Sequence, residues 1–243
     1  MQLSETDGHA VQIISQHTPI PITGKIHCMS KVIAIDGPAA SGKSTVAKLL
    51  ARRLGFTYVD TGAMYRAVTW AVIEAGEDPK DEDSVKKVLG EVNMECGVDD
   101  SRSVVMVDGV NPGMALKSDS VNAGVSYVAK VPEVRRYLID LQRRFADRED
   151  IVMEGRDIGS VVFPDTPYKF YIDASEEVRA QRRSKEGLDD SIKERDRIDS
   201  TRAESPLVIS DDAKVVDSSD LTIDGVTDEI LGNLAGSGIT PVE

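Results

Sequence analysis

Residues 37–45 of this chain read GPAASGKST and match the pattern G-x-x-x-x-G-K-[ST]. The flanks give the match its weight. KVIAID (31–36) before it is a short β-rich run, and KSTVAKLLARRL (43–54) after it carries Val46, Leu49, Leu50 and Leu54 at helical spacing. Strand, glycine-rich loop and helix in that order predict a phosphate cradle. Gly37 and Gly42 let the backbone curl so that its N–H groups point at phosphate oxygens, and the helix N-terminus adds partial positive charge. The expected ATP-binding loop is Gly37, Pro38, Ala39, Ala40, Ser41, Gly42, Lys43, Ser44 and Thr45. Lys43 is expected to bridge the β- and γ-phosphates, and the Ser44 hydroxyl to hold Mg²⁺.

The rest of the chain continues the alternation. FTYVD (56–60) reads as a strand, and 62–76 as a helix closed by Gly76, with Met64, Val68, Ala71 and Val72 on its buried face. An acidic helical stretch covers roughly 80–90. Residues 92–117 change character: VNMEC, SVVMVD and GMALK are short runs between turn signals, which predicts a small antiparallel insert. Helical patterning resumes at Ser118, is interrupted by Pro132 and runs on through Val134, Leu138, Leu141 and Phe145. IVMEG (151–155) and YKFYID (168–173) read as buried strands. A charged helix (175–186), an arginine-rich segment (193–202), a strand KVVDS (214–218) and a last helix (226–235) follow. Strands alternating with helices mean an α/β fold with a largely parallel sheet. Residues 1–28 have no sustained period and are expected to be a flexible tail. Met29-Ser30-Lys31, directly before a strand-like run, looks like a second translation start.

Composition narrows the chemistry. The net charge is −13, so the surface disfavours broad binding to a nucleic-acid backbone, and any bound anion must meet a local cluster of arginines. The only cysteines are Cys28 and Cys96, which suits a reducing cytoplasm. His9, His17 and His27 all precede residue 29, so the remainder can form neither a histidine triad nor a histidine-ligated zinc. No apolar run approaches the roughly 20 residues of a membrane span, so no membrane partner is expected.

Two further stretches point to a second anion, and a third sets opposite charges side by side. DTGAMYR (60–66) opens a helix and brings Thr61, Tyr65 and Arg66 to its start; a threonine N-cap with an exposed arginine is the plainer reading. KERDRIDSTR places Arg195, Asp199 and Arg202 on one helical face, which serves either a triphosphate or two facing phosphates, or else a solvated ion-pair network. MEGRDIGSVVFP sets Arg156 beside Asp157 between Gly155 and Gly159; the two are either a weak surface pair or two groups pointing apart.

Taken together, IDGPAASGKST, DTGAMYRAV, EGRDIGSVVFP and KERDRIDSTRAESPL resemble the bacterial cytidylate kinases in order and spacing, from about Lys31 to the C-terminus. The resemblance implies a P-loop NTPase-like three-layer α/β/α fold with a five-stranded parallel sheet. It divides the chain into an extension (1–28), a core (29–90 and 118–243), a monophosphate-binding insert (about 91–117) and a short lid (about 176–195). It implies phosphorylation of CMP and dCMP by ATP with Mg²⁺, by a cytoplasmic monomer. Thr61, Tyr65 and Arg66 match the monophosphate site, and Arg156 and Arg202 match arginines that hold the acceptor phosphate. Arg195 and Asp199 match the ribose grip, and Ser126, Arg135 and Asp157 the cytosine-reading set. Lys43, Arg156, Arg195 and Arg202 would carry catalysis. The segment between Ala174 and Arg195 is shorter than in long-lid relatives, though it keeps Arg179, Arg182 and Arg183. A P-loop kinase of another small acceptor, such as a different nucleotide, shikimate or dephospho-coenzyme A, is the rival; a nonenzymatic ATP switch is a second.

Overall fold

A computed structural model describes residues 12–14, 30–185 and 192–242. Its strands in chain order are β1 (Gln12–Ile14), β2 (Val32–Asp36), β3 (Thr57–Asp60), β4 (Met94–Asp99), β5 (Arg102–Val107), β6 (Ile151–Gly155), β7 (Tyr168–Asp173) and β8 (Lys214–Asp217). The helices are α1 (Lys43–Leu54), α2 (Thr61–Glu74), α3 (Glu82–Glu91), α4 (Asp119–Val128), α5 (Pro132–Arg143), α6 (Glu176–Lys185), α7 (Ile192–Ser200) and α8 (Ile223–Ala235). One sheet runs in the order β1-β4-β5-β3-β6-β2-β7-β8. Its middle, β3-β6-β2-β7-β8, is the expected set of five parallel strands.

Strand alternation divides the interior into two cores, as a sheet covered on both faces requires. Ile33 and Ile35 of β2 point to the side of α1 and α8, with Leu50, Leu54 and Ile230. Val32 and Ala34 point to the side of α2 and α5, with Val68, Val72 and Leu138. All five residues of β2 and of β6 are buried, which holds the ends of these strands, where the loops begin, in a fixed frame.

The expected antiparallel insert is present and is joined to the main sheet. β4 and β5 form an antiparallel hairpin, but β5 also lies parallel to β3 at Tyr58↔Arg102, so the main sheet continues into it. GMALK is a 3₁₀ turn, Gly113–Lys117, entered through Pro112. The tail reading gives way at Gln12–Ile14, which pairs antiparallel with β4 at the sheet edge; the rest of 1–28 lies outside the described residues. So do residues 186–191 of the expected lid. The last helix starts earlier than its apolar period implies, because Thr222 caps it by accepting from the Gly225 N–H at 3.1 Å.

Candidate active site

The glycine-rich loop leaves the end of β2 through Gly37, whose φ is +155° and where a Cβ would stand 2.2 Å from the Ile172 carbonyl oxygen. No side chain fits there. Gly42, at φ 90°, caps α1, and Ala40 holds a left-handed φ of 60° between them. Lys43 turns back to donate to the Pro38 carbonyl at 3.1 Å. Burial, and then the neighbouring Arg156 cation, lowers its pKa to about 7. Two arginines of α6 grip the loop's carbonyls. Arg179 donates to Ala39 O at 3.2 Å and pairs with Asp196, whose carboxylate also accepts from the Ala39 N–H. Arg182 donates to Ser41 O at 3.1 Å and to Ser218 Oγ at 3.0 Å.

Beside the loop lies a cleft of about 90 Å³ at the C-terminal ends of β3 and β6. Lys43, Ser44, Thr61, Tyr65, Arg66 and Ser126 line it on one side. Arg156, Asp157, Arg195, Asp199 and Arg202 complete it. Residues separated by more than 150 positions in sequence thus meet in one hollow, as parallel α/β sheets favour at their strand ends.

Arg156 and Asp157 do not pair with each other. Arg156 Nε donates to Asp199 at 2.9 Å, and Arg202 meets the other oxygen of the same carboxylate at 3.2 Å. Two guanidinium groups therefore share one buried carboxylate, which leaves this cluster net positive. Asp157 points the other way and pairs with Arg135, whose side chain is 1% exposed. Arg135 does not line the cleft; it backs Asp157, also donating to Ala129 O at 3.2 Å and lying 5.5 Å from the centre of the Tyr65 ring. Burial, and then the Asp157 carboxylate, pushes the Tyr65 hydroxyl up to about 12. Arg202 follows the end of α7 rather than continuing its face, and folds back so that Nε donates to Asp199 O at 3.1 Å.

The cap of α2 is Asp60, which accepts from the Ala63 N–H at 2.9 Å and lies 3.8 Å from Arg66. Thr61 instead donates its hydroxyl to the Glu154 carbonyl at 2.7 Å. That bond ties α2 to β6. Gly155 permits it: a Cβ there would meet Ile158 at 2.6 Å and Thr61 Oγ1 at 2.8 Å, so close approach, not a left-handed turn, calls for glycine.

Three carboxylates escaped the sequence reading. Asp60 and Glu154 line the cleft, and Glu154 accepts from the Tyr58 hydroxyl at 2.9 Å. Asp36 accepts from the N–H groups of Ile158 and Gly159, both at 2.8 Å, and so holds the loop that carries Arg156 and Asp157. Burial raises its pKa to about 7. Their signal was position: each ends, or nearly ends, a buried parallel strand.

A sequence model of the cytidylate kinase family matches residues 33–235. A cytidylate kinase of Oceanobacillus iheyensis is 43% identical over 213 residues, covering 83% of this chain and 93% of that one. One of Limosilactobacillus fermentum is 44% identical, covering 83% and 94%, and one of Mycobacterium avium 45%, covering 82% and 92%. With most of both chains covered at this identity, and the family model spanning the glycine-rich loop and every residue of the cleft, this chain belongs to the cytidylate kinase family.

Proposed function

We propose that this protein transfers the γ-phosphoryl group of ATP to the 5′-phosphate of CMP or dCMP, giving ADP and CDP or dCDP. The observation that carries the reading is the net-positive Arg156–Asp199–Arg202 cluster, which lines the same cleft as Lys43 and Ser44 of the phosphate loop. Such a cleft suits two facing phosphates, where a nucleotide switch would need only the first.

An acceptor phosphate oxygen forms the new bond to the γ-phosphorus as the bond from that phosphorus to the β-bridging oxygen breaks, the electron pair leaving with ADP. The acceptor has a second pKa near ~6, so it is largely a dianion at neutral pH and no general base has to take a proton. Arg156 and Arg202 would hold that dianion, and Lys43 would steady the donor, so that catalysis consists of alignment and charge neutralisation. Burial holds the free Lys43 at a pKa of about 7, so a polyphosphate beside it would recharge it.

The donor set fits Mg²⁺. Ser44 and Glu154 offer hard oxygens to the cleft, and among the described residues no cluster of three or more His, Cys, Asp or Glu exists to hold a metal without the nucleotide. Ser44 would hold the ion together with phosphate oxygens; when bound, Mg²⁺ neutralises charge on the transferring group.

Base choice falls to Asp157, with Arg135 behind it and Ser126 at the cleft wall. Its carboxylate can accept from the cytosine N4 amino group, whereas uracil presents an oxygen there and meets like polarity. Arg195 and Asp199 are assigned to the ribose, Thr61, Tyr65 and Arg66 to the monophosphate side. We place the enzyme in the cytoplasm as a monomer that binds neither nucleic acid nor membrane. No helix among the described residues is long and apolar enough to cross a membrane. A coupled ADP-release assay across the common nucleoside monophosphates tests the proposal: turnover highest with CMP and dCMP supports it, and equal turnover of UMP or none with any monophosphate sinks it.

A further inference from the structure

A second cavity, of about 520 Å³, opens between α1, β3 and the turn joining β4 to β5, and shares no lining residue with the cleft above. Its volume lies in the range of about 300–1,000 Å³ usual for small-molecule sites. Three cations face it, Lys48, Arg52 and Arg102, against the single carboxylate of Asp100. On a chain of net charge −13 this is a local reversal of sign.

Lys48 and Arg52 stand one helical turn apart on α1, and Arg102 opens β5 across the gap. Their neighbour Arg53 is matched by Asp224 and Asp228. Among the described residues no carboxylate pairs with Lys48, Arg52 or Arg102; Lys48 instead lies 5.3 Å from the centre of the Tyr58 ring. Leu49, Phe56 and Ile223 supply an apolar wall, the last of them 45% exposed.

The geometry points to a second anion site here, for an organic polyphosphate whose phosphates lie among Lys48, Arg52 and Arg102 and whose carbon skeleton covers the apolar wall. Three cations with no carboxylate partner among the described residues and an open apolar patch have one complement in common, a ligand with a multiply charged end and a carbon-rich end. The site is wired to the cleft. Tyr58 lines this cavity and donates its hydroxyl to Glu154, which lines the cleft, and Thr45 of the glycine-rich loop also borders the cavity. An occupant that moves Lys48 or Tyr58 therefore moves a carboxylate beside the reacting phosphates. That coupling rests on the phosphotransfer reading; the binding does not.

The test is calorimetric titration of the full chain with tripolyphosphate, with Mg²⁺·ADP and CMP saturating and free Mg²⁺ held constant. One additional site per chain is expected, weakened at least tenfold in the double variant Arg52→Ala/Arg102→Ala, with ADP and CMP affinities within twofold of the parent. No additional saturable site, or equal affinity in the double variant, overturns the proposal. So does loss of that binding in Lys43→Ala, which would assign it to the cleft. CTP is expected to bind there more tightly than tripolyphosphate, and equal affinity overturns the organic part of the assignment. For the coupling, bound tripolyphosphate is expected to change kcat at saturating ATP and CMP, and Tyr58→Phe to keep the binding but lose the change. An unaltered kcat at full occupancy overturns the coupling and leaves the site standing.

Discussion

Replacing Asp157 removes two things at once, and the structure allows them to be separated. The carboxylate is the counter-charge of Arg135, whose side chain is 1% exposed and whose remaining partners are the Ala129 carbonyl and the Tyr65 ring. Asp157→Ala leaves that cation buried and uncompensated, at a cost of about 3–5 kcal/mol. For a chain of this size each kcal/mol shifts Tm by roughly 2–4 °C, so the expected drop is about 6–20 °C. Lost activity in that variant alone would therefore say little about base reading. Asp157→Asn keeps an oxygen for Arg135 and is expected to cost about half as much, because a hydrogen bond to a charged group is worth ~1.5–3 kcal/mol. With that oxygen held by Arg135 its amino group faces the base, a donor opposite the cytosine N4 donor, so the ratio of kcat/KM for CMP over UMP is expected to fall by at least tenfold, about 1.4 kcal/mol of discrimination. Thermal melts run beside coupled ADP-release assays with CMP, dCMP and UMP read both effects. The double variant Arg135→Met/Asp157→Leu, which removes both charges, is expected to recover part of the Tm while turnover of CMP stays low. An unchanged CMP-to-UMP ratio in Asp157→Asn refutes the base assignment, and a Tm within about 2 °C of the parent in Asp157→Ala refutes the buried-pair reasoning.

Three other outcomes are expected. ATP binding takes up protons: free Lys43 has a pKa lowered from 10.5 to about 7, so it is mostly neutral at pH 8, and polyphosphate recharges it. Calorimetry at pH 8 in buffers of different ionisation enthalpy should find nearly one proton taken up per ATP in the parent and far less in Lys43→Met. Asp36 is raised from 3.8 to about 7, so its folded form holds a proton where its unfolded form does not. Its contribution to stability is full below the lower value and is lost as pH rises through the upper one. Melts at pH 5 and pH 8 should show Asp36→Asn gaining on the parent at the higher pH, and a constant difference would contradict the assignment. Gly155→Ala forces a methyl to within 2.6 Å of Ile158 and 2.8 Å of Thr61 Oγ1, and should cost about 1–3 kcal/mol in denaturant melts while raising KM for CMP more than for ATP.

Much of the fold was legible because it is local. The strand–loop–helix of residues 31–54 and the buried runs IVMEG and YKFYID are statements about consecutive residues, and they stand where their patterns place them. GMALK failed because a short apolar run between turn signals fits a strand or a 3₁₀ turn equally, and Pro112 decides in favour of the turn. The hairpin's merger with the main sheet was hidden for another reason: it depends on β5 meeting β3, a long-range pairing with no local signature. The cleft divides in the same way. Residues in phosphate-binding or arginine-rich motifs come together in it, because motif chemistry survives without knowledge of the fold. Asp36 was missed because its partners Ile158 and Gly159 lie more than 120 positions away. Arg202 was read onto a helix that ends at Ser200.

The bonds from Ile158 and Gly159 to Asp36 have a further consequence. Asp36 is followed directly by Gly37, where the phosphate loop begins. The glycine-rich loop and the loop carrying Arg156 and Asp157 thus share a common datum, one peptide link at the end of the central strand. If the sheet breathes or a helix repacks, both loops are carried along, and the gap between them is set by covalent geometry and two hydrogen bonds instead of by the accumulated tolerances of a whole domain. Since an error of about 1 Å in such a gap can cost roughly 10²-fold in rate, the economy lies in having one joint to keep accurate.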